Sequence, residues 1–501
     1  MSLLTLHETD DVVVALDDLP AGAPGPGGRA LPGPVPRGHK IARRDLHVGA
    51  LVHKYGHVIG VVTAEIRAGE HVHTHNLAMP PRVAGEGPVP RLTAASTMPA
   101  GSSGRTFRGI VRPDGSVATR NYIGVLTSVN CSATVARQVA RRFEGDRFPG
   151  VDGVVALTHG TGCGMADSGT GWQLLQRTLA GYARHPNIGG LVAIGLGCEV
   201  NSLAEMVGTL GVSAHVPLES FTIQDVGGTA AAVAEGERLV RQMAAHMAAV
   251  RREEVGLERL VLGLQCGGSD AWSGLTANPA LGVASDLVVA AGGTSMLGET
   301  PEIYGAEHLL AARAVDSSVA AELLDRVRWW ESYTRSNGAT LDGNPSPGNK
   351  QGGITTILEK SLGAVAKAGR SPLAEVVDYA QTPTTSGLVF MDTPGYDPVS
   401  VTGMVAGGAN IIAFTTGRGS VFGSRPVPTV KLASNSVMAR RMTGDIDLDC
   451  GAVLDDEISL DEMGERILDL LLRVASGEES ASEALGLGGE EMVPWQVGVV
   501  L

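Results

Sequence analysis

The sequence predicts an α/β protein in three parts: a small β-rich N-terminal module at 1–77, a long linker at 78–105, and an α/β body with mainly parallel sheets. Three observations predict it. The first 77 residues hold short β-like runs separated by Gly and Pro, and residues 78–105 show no periodic apolar spacing. From Phe107 onward, apolar runs alternate with Ala-rich stretches of helical composition, the pattern of βα units around a parallel sheet.

Within the module, "DVVVAL" and "HVIGVVTAEI" read as strands, and a Gly/Pro stretch at 21–38 separates them. The module ends in "EHVHTHN", where His71, His73 and His75 are spaced two apart. An extended backbone would turn all three imidazoles to one side, the geometry of a chelate; a polar edge strand is the plainer alternative. The linker is rich in Pro, Gly, Ser and Ala, and it is long enough for the module to reach a distant surface.

The body begins with strands expected at 122–129, 151–158 and 189–196, and continues with 258–265, 386–392 and 410–416. Helices are expected at 132–143, 170–183, 228–250, 279–291, 306–329, 354–367 and 458–475. Asn278 followed by Pro279 reads as a helix cap and first helical position. The body divides into an α/β domain at 106–252 and a second at 256–501.

The strand ends are more informative than the strands. The strands run into "NCSAT", "HGTGCGM", "GCEVN" and "QCGGSD", so Cys131, Cys163, Cys198 and Cys266 stand at or just past strand C-termini. That edge of an open α/β sheet is where ligands bind. Any one of these thiols could be a small buried hydrophobe, but the repetition in register marks a functional rim. "GNPSPGNKQGGITT" places Lys350 among glycines, and "FTTGRGSVFGSRPVPTVKLASN" does the same for Arg418, Arg425 and Lys431. Backbone amides with nearby cations suit a carboxylate. No P-loop and no suitably placed GxGxxG is present, so a nucleotide is not indicated.

Composition excludes other classes. A formal charge of -14 without a basic track argues against nucleic acid. The N-terminus lacks a basic leader, and no run approaches the ~20 apolar residues of a membrane span. Five cysteines, an odd number, fit reduced thiols and a cytoplasmic location.

Longer passages carry a resemblance. "GHKIARRDLHVGALVHKYGHVIGVVTAEIRAGEHVHTHNL" resembles the SAF-type module that opens altronate dehydratases. "RPDGSVATRNYIGVLTSVNCSATVA", "LTHGTGCGM", "GLGCEVN", "LQCGGSDAWSGLTANPALG", "ETPEIYGAEHLL" and "NPSPGNKQGGITTILEKSLG" are similar to the body of the altronate/galactarate dehydratase family. The likeness runs in order from His7 to Gly451, and "HVHTHN" is of the altronate rather than the galactarate type. Sulfolactate sulfo-lyases carry similar modules on separate chains.

The resemblance implies loss of water from a sugar acid such as D-altronate to give a 2-keto-3-deoxy acid, assisted by Fe2+. Removing a proton beside a carboxylate needs a base and strong stabilisation of the enediolate, and the departing hydroxyl needs an acid or a metal. It implies metal ligands among His73, His75 and Glu299, with His71 and Glu302 as further candidates. His159, Lys350, Cys163 and Glu199 are the expected catalytic groups, with His159 or Lys350 as base. Arg120, Asn121, Ser269, Asp270, Asn278, Gln351 and Arg418 are expected to bind substrate. An iron–sulfur cluster on Cys131, Cys163, Cys198 and Cys266 is a second cofactor reading. Alternative functions are a galactarate-type or other hydroxy-acid lyase and a non-catalytic sugar-acid binding protein. A homo-oligomer is expected, with a small-molecule substrate and neither nucleic acid nor membrane as partner.

Overall fold

The computed structural model describes residues 3–80, 104–146 and 148–497, so most of the expected linker, 81–103, lies outside the described residues. The N-terminal module is built from two small antiparallel sheets. One orders Leu3–Leu4, Val12–Ala15, Lys40–Ala42 and His71–Val72; the other joins Leu51–Lys54, His57–Val62 and Leu77–Ala78. Val12, Val52, Ile59, Ile66 and Val72 close a core between them.

The body holds two parallel sheets. The first orders Gly153–Leu157, Tyr122–Thr127, Ile188–Gly195 and Leu218–Thr222. The second has seven strands, with Val261–Cys266 and Ile411–Thr416 side by side near its centre. Every residue of Ile411–Thr416 is buried, which is why its sequence is a continuous apolar run without alternation. A three-stranded antiparallel ribbon of Thr106–Val111, Val117–Ala118 and Glu253–Gly256 completes the described sheets. Among the described residues no helix is long and apolar enough to cross a membrane.

Several expectations change. Thr429–Ala433 is a fully buried strand inside the passage read as a polar cationic loop, and Lys431 on it bonds the Ser420 carbonyl at 3.0 Å. Its strand character was masked by the Gly- and Pro-rich residues just before it. The helix expected at 306–329 breaks into Glu307–Ala311 and Ser317–Ser336, because Asp316 accepts the amides of Ser318 and Val319 and starts a new helix. Asn278 is no cap: the helix begins at Ala277, and the Asn278 side chain donates to the Gly363 carbonyl at 2.9 Å.

The two parallel sheets face the same way. At their strand N-termini, Thr119 Oγ1 donates to the Asn410 carbonyl at 2.6 Å and His185 Nε2 to that of Ala409 at 3.0 Å. Helices Gly169–Arg184 and Asp397–Ala406 pack together, and a Cβ on Gly181 would lie 2.3 Å from the Ala406 carbonyl oxygen. At the other edge the C-terminal tail spans both sheets. Trp495 stacks on Trp330 at 5.3 Å, Trp330 Nε1 donates to Asp392 just past Gly387–Met391, and Gln496 reaches 3.5 Å from a Cβ built on Gly160. Both C-terminal edges therefore open on one side of the molecule.

Candidate active site

The histidines gather, but not by the predicted route. The strand ends at Val72, and residues 73–76 form a turn in which the Asn76 and Leu77 amides donate to the His73 carbonyl at 3.0 and 2.9 Å. Asn76 fixes that turn, accepting from the His73 amide and donating to the His71 carbonyl, both at 2.9 Å. The expectation of one continuous extended face is therefore corrected. Even so, His71 lies 5.4 Å from His73 and 5.5 Å from His75 between ring centroids.

The residue missed by sequence is His39. Strand Lys40–Ala42 pairs with His71–Val72, which sets His39 beside the cluster, its Nδ1 2.9 Å from His71 Nε2. Donor atoms of His39, His71 and His73 all lie within 4.8 Å of one another. No local spacing announces His39; only the pairing of two strands does. Burial, then the neighbouring His39, pushes His71 down to about 3; burial, then Lys40, pushes His73 down to about 4. The rings are thus neutral near pH 7, and His73 Nδ1 is buried without a hydrogen-bond partner. Three neutral imidazoles with an orphaned nitrogen fit a divalent transition ion.

A buried ionic contact seats this module on the body. Lys40 and Lys54 each place Nζ 2.8 Å from a Glu359 carboxylate oxygen, and all three side chains are at most 1% exposed. Burial alone would raise the Glu359 carboxyl, but the two ammoniums override it and hold it well below the carboxylate range. Lys40 also donates to the Gly353 carbonyl at 2.6 Å, and His39 Nε2 lies 3.1 Å from that of Gln351.

A cleft of about 310 Å³ opens at the C-terminal edge of the seven-stranded sheet, lined by Cys266, Glu302, Asn344, Asn349, Lys360 and Asp397. Lys360 Nζ donates to Glu302 at 2.6 Å and to Asn344 at 2.8 Å. Lys367 Nζ lies 2.9 Å from Cys266 Sγ and 3.4 Å from Glu299 Oε2. Glu299 has φ of 67°, a left-handed backbone rare for a residue with a side chain, and its Oε1 is buried without a partner. Burial and the adjacent Glu302 raise the Glu299 carboxyl, whereas Lys360 and Lys367 overcome burial to hold Glu302 low. Burial pushes Asp397 up to about 6. Carboxyls of opposed proton affinity beside an ammonium are the parts of acid–base chemistry.

The other expected residues divide. Glu299 belongs with Cys266 and Glu302, not with the histidines, since it is carried on the seven-stranded sheet and paired to Lys367. Arg120 and Asn121 precede their strand and sit at the opposite edge from the cysteines: Arg120 bonds Glu483 at 2.6 Å, and Asn121 bonds Arg112 at 2.7 Å. Both hold segments together. His159 is buried with Nε2 3.1 Å from the Thr127 carbonyl and Nδ1 3.1 Å from Thr161 Oγ1, so neither nitrogen is open as a base. Asp270 accepts from Ser273, Ser434 and Asn435, an internal brace, while the Ser269 carbonyl receives Asn349 at 2.8 Å. Asn278 bonds Gly363 and Thr415.

Lys350 and Gln351 lie on the short helix Pro347–Gln351 beside the cleft wall, and the exposed Arg418 reaches toward Gln351. Glu199 and Cys163 stand on the four-stranded sheet. Burial alone would raise Glu199, but Ser128 and the amides of Gly197 and Cys198 hold it below its ordinary value. The four rim cysteines are split between the sheets: Cys266 is buried under the cleft, and the other three are exposed on the four-stranded sheet.

Comparison with known proteins agrees with this architecture. Residues 1–80 match the altronate/galactarate dehydratase SAF domain, 109–248 the second domain of D-galactarate dehydratase/altronate hydrolase, and 257–500 the C-terminal domain of D-galactarate/altronate dehydratase. The chain is 37% identical over 500 residues to galactarate dehydratase (L-threo-forming) of Escherichia coli K12, covering 97% of this chain and 95% of that protein. It is 34% identical over 485 residues to altronate dehydratase of Bacillus subtilis 168, covering 95% of each. To altronate dehydratase of Escherichia coli K12 it is 36% identical over 489 residues, 96% of this chain and 97% of that one. With all three parts matched in order and relatives aligned nearly end to end, the chain belongs to the D-galactarate/altronate dehydratase family.

Proposed function

We propose that this chain is a cytoplasmic hydro-lyase that removes water from a sugar acid of the D-altronate type, giving a 2-keto-3-deoxy acid, with Fe2+ held by His39, His71 and His73. The observation that carries it is the shared wall between two chemistries: His39 meets the Gln351 carbonyl at 3.1 Å, and Asn349, two residues earlier, lines the carboxylate–lysine cleft. The ion, when bound, supplies a Lewis acid for a substrate oxygen.

The protein groups supply the rest. Asp397, raised to about 6, has the proton affinity of a base that works near neutral pH. Lys360, oriented by Glu302 and Asn344, places its ammonium at the cleft wall to offset enediolate charge. Lys350, next in sequence to the cleft-lining Asn349, and Arg418, 3.4 Å from Gln351, supply cations for a substrate carboxylate. His75 serves as a supporting group at the edge of the imidazole cluster. Five free thiols fit a reducing compartment.

The test is an anaerobic assay with ferrous iron across a panel of sugar acids that includes D-altronate and galactarate, following 2-keto acid formation. D-altronate should react fastest. Preference for galactarate moves the substrate to the dicarboxylate type, and no keto acid from any member refutes the hydro-lyase reading.

A further inference from the structure

We propose that Cys131, Cys163 and Cys198 together hold a four-iron, four-sulfide cluster in which one iron carries no protein thiolate. This inference does not rest on the dehydratase reading. The three residues follow three neighbouring strands of one sheet, Tyr122–Thr127, Gly153–Leu157 and Ile188–Gly195, all at its C-terminal edge. All three are exposed, while Cys266 and Cys450 are buried. A free cysteine is ordinarily among the most buried residues, so packing does not account for three thiols open at one edge.

The loops that carry them are tied to one another. The Asn130 amide donates to the Thr161 carbonyl and the Asn201 amide to that of Gly162, both at 2.9 Å. Asn201 Nδ2 donates to the Ser128 carbonyl at 2.7 Å. Each cysteine stands within three residues of one of these ties. Glu199 braces the third loop, taking the Gly197 and Cys198 amides at 2.7 and 2.9 Å and Ser128 Oγ at 2.6 Å. A Cβ on Gly162 would sit 2.3 Å from the Ser128 carbonyl oxygen, so the second loop needs glycine to come this close to the first. Cys131 is the second residue of helix Asn130–Arg141, whose N-terminus has no side-chain cap, so backbone amides are left open beside it.

The separation of the three sulfurs does not suit a single ion. One metal bound to three thiolates at ~2.3 Å requires sulfurs within roughly 4.6 Å of one another. Among the described residues, the groups whose donor atoms come within 4.8 Å are the His39 and Cys266 sets, not these three cysteines. A cube of four irons spans more widely separated sulfurs. Two ferrous ions, two ferric ions and four sulfides form the core; each thiol releases one proton as its sulfur bonds one iron. The fourth iron keeps an open position for a hydroxyl oxygen, and this edge opens on the same side as the cleft.

The experiment uses the full chain, purified anaerobically, incubated with ferrous iron, ferric iron and sulfide, then desalted. Expected are about four acid-labile sulfides per chain, with about four irons in addition to the ferrous ion at His39, His71 and His73, and charge-transfer absorption in the visible. The triple variant Cys131→Ala, Cys163→Ala, Cys198→Ala should retain no sulfide, while Cys450→Ala retains it all. In a second measurement on the wild-type chain, the loaded cluster should shield these three thiols from alkylation, read by mass spectrometry of each cysteine. Folded wild-type protein without labile sulfide overturns the proposal, as does equal alkylation of the three thiols before and after loading.

Discussion

His39 and His75 are both imidazoles at the edge of the same cluster, yet only His39 places a donor atom within 4.8 Å of those on His71 and His73. Replacing His39 with Gln should lower ferrous affinity by roughly 10- to 100-fold or more, the scale of losing a group that builds a metal site. His75→Gln should cost less, as read by anaerobic competition with a chromogenic chelator. Equal losses would remove His39 from the site. A second residue-scale prediction concerns acid. Burial pushes His159 and His185 each down to about 4 from an ordinary 6.5. Between those values the unfolded chain binds protons that the native chain does not, so their contribution is complete above pH 6.5 and is lost as pH falls. Each loses up to ~1.4 kcal/mol per pH unit. Urea midpoints from pH 7.5 to 4.5 should therefore decline, and His185→Gln should flatten that decline; an unchanged slope contradicts it.

The strands of the N-terminal module reach the body through Lys40 and Lys54, which share Glu359 out of contact with water. Glu359→Gln leaves two ammoniums buried without their counter-ion, a loss of roughly 3–5 kcal/mol. Hydrogen exchange should rise in Lys40–Ala42 and His57–Val62 while Tyr122–Thr127 and Ile411–Thr416 keep their protection. A rise spread evenly over all four strands would show that Glu359 supports the body rather than the docking. The sequence made "HVIGVV" legible as a strand because its β-branched residues fit a pleated core. It did not reveal the docking, since Lys40, Lys54 and Glu359 look like ordinary surface charges until the parts meet.

At the scale of the whole molecule, the common orientation of the two parallel sheets depends on close helix packing at Gly181. A Cβ there would lie 2.3 Å from the Ala406 carbonyl oxygen, so Gly181→Ala should cost roughly 1–3 kcal/mol as the helices separate. Gly208, in helix Leu203–Thr209, has nothing within 4 Å of a built Cβ, and Gly208→Ala should instead raise stability by roughly 0.5–1 kcal/mol. Calorimetric melting of the two variants checks both signs. Matching melting temperatures would mean that the interface yields without strain.

The sequence by itself determined the α/β class, the β-rich module and the cysteines at strand ends, because period, Gly/Pro punctuation and buried apolar runs are local properties. It also placed His71, His73 and His75 together, since residues two apart cannot separate far. Tertiary structure decided the rest. Arg120 and Cys131 flank the same strand and look equally promising in sequence, but one lies at each edge of the sheet. His39 joins the imidazoles only through pairing with a strand that is remote in sequence, and Glu299 leaves them because its own strand belongs to another sheet. Lys431 reads as a cation for substrate until its strand proves buried. Local pattern fixes which face or end a side chain takes on its own element, whereas distances between elements exist only after the core closes.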